Sequence, residues 1–162
     1  MRASGMVSLN NAFSEASMKD MATLIPLMYL VLLISMVVFF RSITATIATL
    51  CVIAFSALTA MGIAGWSGIH LTPPSISAPT IILTLAIADS VHIIVSMLKS
   101  MQHGMSKNKA IVESLRINFQ PVFLTSFTTV IGFLALNFSD APPFRDLGNI
   151  TAVGVTAAFI FS

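Results

Sequence analysis

Long apolar stretches separated by short polar segments make up most of the chain. No charged residue occurs from Met21 to Phe40 or from Ser42 to Ala88. A helix needs about 20 apolar residues to cross the hydrocarbon core of a bilayer, so the second stretch is too long for one crossing. The segment between Trp66 and Pro74 divides it, because paired prolines end a helix and Trp favours the headgroup level. The pattern predicts membrane-spanning helices over about 21–40, 43–66, 77–98, 119–138 and 147–162.

These stretches predict an all-α, polytopic membrane protein, a bundle of about five spanning helices. Continuous apolar runs favour helices over a β-barrel, whose strands alternate apolar and polar residues over about ten positions. The last span, 147–162, stops without flanking charges, so we expect the chain to be a fragment of a larger protein. A secretory signal peptide is not expected, because Glu15 and Asp20 interrupt the region of its apolar core.

Two polar segments flank the spans and show amphipathic patterns. Apolar residues recur at helical spacing within 1–20, which predicts a juxtamembrane segment. In the loop 99–118, a helix is predicted to begin after Ser106 as N-cap. Its apolar face consists of Ile111, Leu115 and Phe119, opposite Lys109, Glu113 and Arg116. We expect both segments to lie along the membrane surface, with plain solvated connectors as the alternative.

The composition narrows the class of protein further. Of the 162 residues, 56% are hydrophobic and 9% are charged, with a mean hydropathy of +0.94. An ordinary soluble domain carries about 25% charged residues, so a soluble globular domain, a disordered tail and a nucleic-acid-binding protein are excluded. The single cysteine, Cys51, excludes a disulfide framework, and the three histidines are too scattered for a metal motif. Since phosphate-binding loops and nucleophile motifs are also missing, we expect no enzyme activity, no metal and no cofactor.

Lysine and arginine are distributed unequally between the two sides of the membrane. One side holds Arg41, Lys99, Lys107, Lys109 and Arg116, and the other holds Arg2, Lys19 and Arg145. Because positive residues favour the cytoplasmic side, we expect the loop 99–118 to be cytoplasmic and the N-terminus to be outside. We expect a multi-pass protein located in the bacterial inner membrane.

Asp89 lies near the middle of the third predicted span. A charged group at this depth costs roughly 2.5–3.5 kcal/mol on insertion scales, so it marks a functional site. His92, Ser96 and Lys99 follow at helical spacing and share its face. A carboxyl at this depth can bind and release a proton. The alternative is a structural role, in which Asp89 pairs with His92 or a threonine as a contact between helices.

The fourth predicted span carries a polar cluster at a depth similar to that of Asp89. Asp89 and Thr128 lie a similar number of residues from the cytoplasmic ends of their spans, so they could meet across a helix–helix interface. The cluster consists of Thr125, Ser126, Thr128 and Thr129. We interpret it as the lining of a proton relay. The alternative is that the threonines bond to their own backbone or serve packing.

Small residues recur every four positions on the second predicted span. They are Ser56, Ala60, Ala64 and Gly68. Such a ridge lets helix backbones approach closely, so we assign these residues to helix packing.

The order of several short motifs resembles the resistance–nodulation–division permease superfamily, in particular its MMPL-like exporters and the related sterol-sensing domains. The motifs are Phe40-Arg41-Ser42, Ala86–His92, Pro121–Phe133 and Ser139–Gly148. The resemblance implies that the spans are the second to sixth of a six-helix repeat, which is half of the membrane domain without its first helix. It also implies that Asp89 is the carboxylate that takes part in proton relay in the fourth helix. The commoner family pattern has glycines before this carboxylate and often a tyrosine after it, where this chain has Ala86, Ala88 and Ser90.

On this resemblance, the leading hypothesis is part of a proton-motive-force-driven exporter of lipids or other hydrophobic compounds. Asp89 and His92 would relay the proton, which is the coupling ion, with Ser96, Thr125, Thr128 and Thr129 as lining. The implied partners are membrane lipids, a second transmembrane repeat of the same polypeptide and further copies of the protein. The alternatives are a sterol- or lipid-sensing module without transport and a protein-translocation accessory factor. An intramembrane hydrolase lacks a second carboxylate or a nucleophile.

Overall fold

The computed structural model describes residues 23, 26–38, 40, 42–69, 71–72 and 74–162. Five α-helices lie in this part of the chain: α1 (Pro26–Val38), α2 (Ile43–Trp66), α3 (Ala78–Gln102), α4 (Lys107–Leu134) and α5 (Pro142–Phe161). Short 3₁₀ helices precede α3 at Ser75–Ser77 and follow α4 at Ala135–Phe138. All regular structure in these described residues is helical, which confirms the all-α prediction. The predicted juxtamembrane segment 1–20 lies outside the described residues.

The chain divides into two compact units, Met1–Arg41 and Ser42–Ser162. The first contains α1, an apolar helix whose described part is shorter than a membrane span. The second contains α2 to α5. Within the described residues, three helical segments are long and apolar enough to cross a membrane: Ile43–Trp66, Ser75–Gln102 and Lys107–Phe138. They cover the second, third and fourth predicted spans.

Two glycines with left-handed backbone conformations end helices α2 and α3. Gly68 has φ +69° and Gly104 has φ +87°, a region that side chains other than glycine rarely adopt. After α2, the N–H groups of Gly68 and Ile69 donate to the carbonyls of Gly65 and Ala64 at 3.2 and 3.0 Å. This arrangement satisfies carbonyls that the end of a helix leaves free. Gly68 therefore terminates the helix and does not extend its packing ridge.

Two helices make up most of the segment 99–118. Helix α3 continues to Gln102, and α4 begins at Lys107 and runs without interruption to Leu134. Ser106 takes the N-cap position with an extended backbone, but its side chain makes no capping hydrogen bond. The helix predicted to begin after Ser106 is thus continuous with the fourth predicted span.

Packing of one face explains why α4 is continuous across Pro121. Proline inside a helix removes one backbone hydrogen bond and normally kinks or ends the helix. The buried residues of α4 nevertheless recur every four positions on both sides of the proline. They are Ala110, Ser114, Asn118, Val122 and Ser126. The same face therefore stays against its neighbours along the whole length of the helix.

Helix α5 is the centre of the second unit. It packs against α2, α3 and α4, while α3 also packs against α2 and α4. An apolar cluster of Ala60, Ala64, Ala78, Ile82 and Ile150 joins α2, α3 and α5. The buried face of α5 consists largely of small residues, which allow three neighbours to approach one helix.

Large apolar side chains cover the outside of the second unit. Phe55 on α2 is 58% exposed and Phe127 on α4 is 51% exposed. A soluble monomer rarely exposes large continuous apolar surface, whereas hydrocarbon solvates such a surface well. The surface and the three long apolar helices identify an integral membrane protein.

Candidate functional site

Asp89 joins the middle of α3 to α4. Its side chain is only 7% exposed, and its Oδ2 atom accepts a hydrogen bond from the hydroxyl of Ser126 at 3.2 Å. An ionisable group within a membrane span faces the bundle interior or a cavity, because contact with lipid is costly. The structure shows this arrangement, with the carboxyl directed to the neighbouring helix.

The local sequence explains why these two side chains meet. On α3, Ile82, Ala86 and Asp89 recur at spacings of three and four and form one buried face. On α4, Ser126 continues the four-residue spacing of buried positions that begins at Ala110. Both faces carry small side chains next to the polar ones, so the helices can approach closely enough for a hydroxyl to reach a carboxyl.

A cavity of about 210 Å³ borders the carboxyl. Its walls come from α3, α4 and α5. The lining residues are Leu85, Ala88, Asp89, His92, Thr125, Ser126, Thr129 and Val155. Its volume is enough for several water molecules, and Asp89, His92 and the hydroxyl residues supply polar atoms to an otherwise apolar wall. The carboxyl therefore has both a fixed hydrogen-bond donor and space through which a proton could move.

His92 lies one helical turn after Asp89 and also lines this cavity. Its side chain is exposed, unlike that of Asp89. Within the described residues, no hydrogen bond or ion pair joins the imidazole to the carboxyl. His92 is therefore placed at the border of the cavity, next to Asp89 but not bound to it.

The predicted threonines fall into two groups. Thr125 and Thr129 line the cavity, whereas Thr128 is exposed and does not. The hydroxyl of Thr129 donates to the carbonyl of Thr125 at 2.7 Å, and that of Thr128 donates to Leu124 at 2.9 Å. These hydroxyls therefore bond to the backbone of their own helix, which was the alternative considered from the sequence. Ser126 makes the contact with Asp89.

Ser96 and Lys99 share the helix of Asp89 but lie away from the cavity. Ser96 is half-buried and Lys99 is exposed in the last turn of α3, and neither lines the cavity. The polar stripe predicted on α3 therefore contributes only its first two members, Asp89 and His92, to the site.

One contact between α3 and α4 was not predicted from the sequence. The hydroxyl of Ser114 donates to the backbone carbonyl of Ile93, and the side-chain amide of Asn118 donates to the carbonyl of Ser114 at 2.8 Å. Both residues are buried on the face that continues to Ser126. The signal in the sequence was the four-residue spacing of small and polar residues. They lie opposite the apolar face on which the prediction of a surface helix was based.

The residues assigned to helix packing behave differently at the two ends of α2. Ser56, Ala60 and Ala64 are buried, and the Ser56 hydroxyl donates to the carbonyl of Val52 at 2.7 Å. Gly68 is exposed and lies beyond the end of the helix. The ridge therefore consists of the first three residues.

The donor set of the site consists of one carboxyl, hydroxyls and an imidazole. In the part of the chain that the structure describes, no group of three or more His, Cys, Asp or Glu side chains is placed to hold a metal ion. A carboxyl with neighbouring hydroxyls and an imidazole is suited to binding and releasing a proton within a membrane.

A helical bundle with an apolar exterior and a carboxyl buried between two of its spans defines a multi-pass integral membrane protein. The sequence model described as the MMPL family matches residues 2–162, and the chain belongs to this family. The chain is also 27% identical over 129 residues to a protein named "Putative membrane protein MJ1562" from Methanocaldococcus jannaschii. That match covers 80% of this chain and 33% of the relative, so the chain spans about a third of that relative's length. No solved structure matches the chain.

Proposed function

We propose that this chain is part of the membrane domain of a proton-driven exporter of the resistance–nodulation–division type, which moves lipids or other hydrophobic compounds. The observation that carries the proposal is the buried carboxyl of Asp89, hydrogen-bonded to Ser126 across the α3–α4 interface. Membership of the MMPL family supports the same assignment. Moving one charge through the membrane potential is worth about 2.3 kcal/mol per 100 mV, which is enough to drive a conformational change.

Protonation of Asp89 changes which hydrogen bonds can form between α3 and α4. An ionised carboxylate only accepts hydrogen bonds, and here it accepts one from Ser126. A protonated carboxyl also has a donor, which can turn to a different acceptor. The two protonation states therefore favour different arrangements of the two helices, and a proton gradient can shift the population between them.

His92 and the cavity threonines have supporting roles in this proposal. His92 borders the cavity and is exposed, so it can exchange a proton with Asp89 through water in the cavity. Thr125 and Thr129 line the path without binding the carboxyl directly. The proton is the coupling ion, and the protein acts as a transporter without enzyme activity or cofactor.

The complete protein supplies the rest of the transporter in this proposal. A second transmembrane repeat of the same polypeptide contributes further relay groups, membrane lipids surround the bundle, further copies of the protein assemble with it, and nucleic acid takes no part. We place the chain in a bacterial inner membrane. The connection between α3 and α4 is cytoplasmic and the N-terminus is outside, because the lysines and arginines favour that orientation.

The test uses the complete polypeptide in phospholipid vesicles with an imposed pH gradient. Proton flux is followed with a trapped pH-sensitive dye in wild type, Asp89→Asn and the control Thr84→Ala. Thr84 is exposed on α3, and its hydroxyl donates to the backbone carbonyl of Thr80 in the same helix at 2.9 Å. We expect Asp89→Asn to reduce the flux to that of empty vesicles and Thr84→Ala to retain it. Flux that persists in Asp89→Asn would contradict the proposal.

A lipid- or sterol-sensing module without transport is the second candidate. It is favoured by a cavity of about 260 Å³ between α2 and α5, at the apolar cluster. Its lining is mainly apolar, with Ser67 and Asn149 as polar members. A sensing module would change conformation with lipid composition and be indifferent to both the pH gradient and Asp89→Asn.

A further inference from the structure

We propose that Ser114 is a positioning residue for Asp89. Its hydroxyl fixes the position of α4 along the axis of α3, so that Ser126 lies opposite the carboxyl. This inference rests on the proposed function of Asp89 and adds a residue 25 positions away in sequence, near the beginning of α4.

The contact of Ser114 lies one turn from the carboxyl on α3. The Ser114 side chain is fully buried, and its Oγ atom donates to the backbone carbonyl of Ile93. Ile93 follows Asp89 by four residues in the same helix. A hydrogen bond to a backbone carbonyl fixes the position of the helix itself, whereas a bond to a side chain can follow a rotamer change.

Asn118 lies one turn after Ser114 on the same buried face of α4. Its side-chain amide donates to the carbonyl of Ser114 at 2.8 Å, and only 8% of the residue is exposed. Ala110, one turn before Ser114, is fully buried on the same face. The first turns of α4 therefore form a close-packed contact with neighbouring helices in which Ser114 supplies the directional bond to α3.

Two contacts at different heights determine the register of α4 on α3. The Ser114 and Ser126 contacts are separated by twelve residues on α4 and by four on α3. Pro121 lies between them and cannot donate a backbone hydrogen bond to the carbonyl of Ile117, so α4 is least constrained there. Without the Ser114 contact, the segment before Pro121 can shift along α3, and the position of Ser126 opposite Asp89 is no longer fixed.

In the described part of the helices around Asp89, the other charged groups do not line its cavity; on α3 itself the next one is Lys99, exposed in the last turn. On α4 they are Lys107, Lys109, Glu113 and Arg116, of which the last two pair at 3.9 Å on the surface. On α5 they are Arg145 and Asp146 in its first turns, and the titratable group of α2 is the exposed Cys51. His92 is the titratable neighbour that shares the cavity with Asp89. A change in Asp89 titration caused by Ser114→Ala therefore reports on the contact of the carboxyl with α4, which supplies both its hydrogen bond and part of its burial.

The experiment is an infrared titration of the complete protein in phospholipid vesicles. The C=O stretching band of the protonated Asp89 carboxyl is identified as the band that Asp89→Asn removes, and its titration midpoint is measured. The variants are Ser114→Ala, Ser114→Thr, Ser126→Ala and the double variant Ser114→Ala/Ser126→Ala. Thr84→Ala is the matched control, because its hydroxyl bonds within its own helix.

We expect Ser114→Ala and Ser126→Ala to move the midpoint in the same direction, by about three- to tenfold in proton affinity, as expected for one hydrogen bond. The double variant should move it no further than Ser126→Ala alone, because both changes act through the same bond. Ser114→Thr keeps the hydroxyl and should restore the wild-type midpoint, and Thr84→Ala should not change it.

Three outcomes overturn the inference. They are an unchanged midpoint in Ser114→Ala, additive shifts in the double variant, and a shift in Ser114→Thr as large as that in Ser114→Ala. In each case Asp89 still titrates, and the proposed function stands. If Asp89→Asn removes no band, the proposed function fails together with this inference, so the two failures are distinguishable.

Discussion

Gly154 lets α5 approach α3 at the apolar cluster. A Cβ atom at this position would overlap the side chain of Ile82. Ile82 is fully buried and β-branched, so it has little freedom to move aside. The close approach brings Val155, the next residue of α5, to the cavity wall beside Asp89. A single missing side chain thus helps to position the site.

We therefore expect Gly154→Ala to destabilise the protein by about 1–3 kcal/mol, the usual cost of overpacking a core. Gly132→Ala is the matched control, because a Cβ at Gly132 has no neighbouring atom within 4 Å. That change should be neutral or stabilise the helix by up to about 1 kcal/mol. Thermal unfolding of the complete protein in detergent measures both.

Ile82→Val provides a second check of the same contact. It removes the methyl group that the new Cβ would meet first. In the Gly154→Ala background it should recover part of the lost stability, although by itself it costs about 0.5–1.5 kcal/mol. Equal effects of Gly154→Ala and Gly132→Ala would show that α3 and α5 do not meet at this point.

At the scale of elements, α4 and α5 form a hairpin that is fixed where the two helices connect. Asn137 and Asn149 exchange two side-chain hydrogen bonds, at 2.9 and 3.1 Å. Arg145 donates to the carbonyl of Ser139 at 2.8 Å. A Cβ at Gly148 would overlap the carbonyl oxygen of Phe133, so this glycine allows the two backbones to touch.

Aromatic rings also join the middle of α4 to the end of α5. Phe159 of α5 lies 5.9 Å from Phe119 and 5.7 Å from Phe123, measured between ring centroids. Phe123 also stacks on Phe127 at 5.7 Å. Such pairs add about 0.5–1.5 kcal/mol beyond the area that they bury. Contacts at both ends of α5 therefore hold it to α4, and we expect α4 and α5 to move as one body.

The paired amides give a direct test of the fixed hairpin. Asn137→Ala and Asn149→Ala each remove both hydrogen bonds, so the double variant should lose no more stability than the larger single change. We expect a coupling free energy of about 1 kcal/mol, because the pair is partly exposed and hydrogen bonds of this kind contribute about 0.5–1.5 kcal/mol. Chemical unfolding of the four proteins gives this value, and additive losses would show that the amides do not pair.

At the scale of the whole molecule, the packing order around α5 determines which surfaces remain for lipid. Large apolar side chains point outward, while small and polar ones such as Ser56, Ser114 and Thr151 are buried. This is the pattern expected when the surroundings are hydrocarbon and packing depends on close backbone approach. The buried carboxyl lies between α3 and α4, and α5 supports both.

The proposed orientation is tested by cysteine labelling. Met105 lies in the connection between α3 and α4, and Asp140 lies in the connection between α4 and α5; both are exposed. In a Cys51→Ala background of the complete protein, Met105→Cys should react with a membrane-impermeant maleimide only from the cytoplasmic side. Asp140→Cys should react only from outside. The reverse pattern would invert the proposed orientation without changing the fold.

Several features of the fold could be predicted from the sequence because a bilayer imposes local rules. A backbone that crosses hydrocarbon must satisfy its own hydrogen bonds, so a long apolar run specifies a helix without reference to the rest of the chain. The predicted depth of Asp89 follows from its position within such a run. The local sequence also determines where α2 ends near Trp66, because a glycine and two prolines follow.

The partner of Asp89 was decided only by the tertiary structure. Residue counting matched Asp89 with Thr128, but Ser126 makes the hydrogen bond, and Thr128 faces away and bonds to its own helix. The rotation of each helix about its axis selects the side chain that reaches a neighbour. That rotation depends on contacts with the neighbouring helices, which a single span cannot specify.

The tertiary structure also decided the continuity of α4 and the contact of Ser114 with α3. The sequence before Pro121 resembled a surface helix because its apolar face was evident, whereas the face that matters for packing carries Ala110, Ser114 and Asn118. In water the apolar face would be buried; next to lipid it stays outside, and small polar residues pack inside. Local patterns thus determined which segments are helices and where along α3 the carboxyl lies. Close packing among α3, α4 and α5 determined what that carboxyl meets.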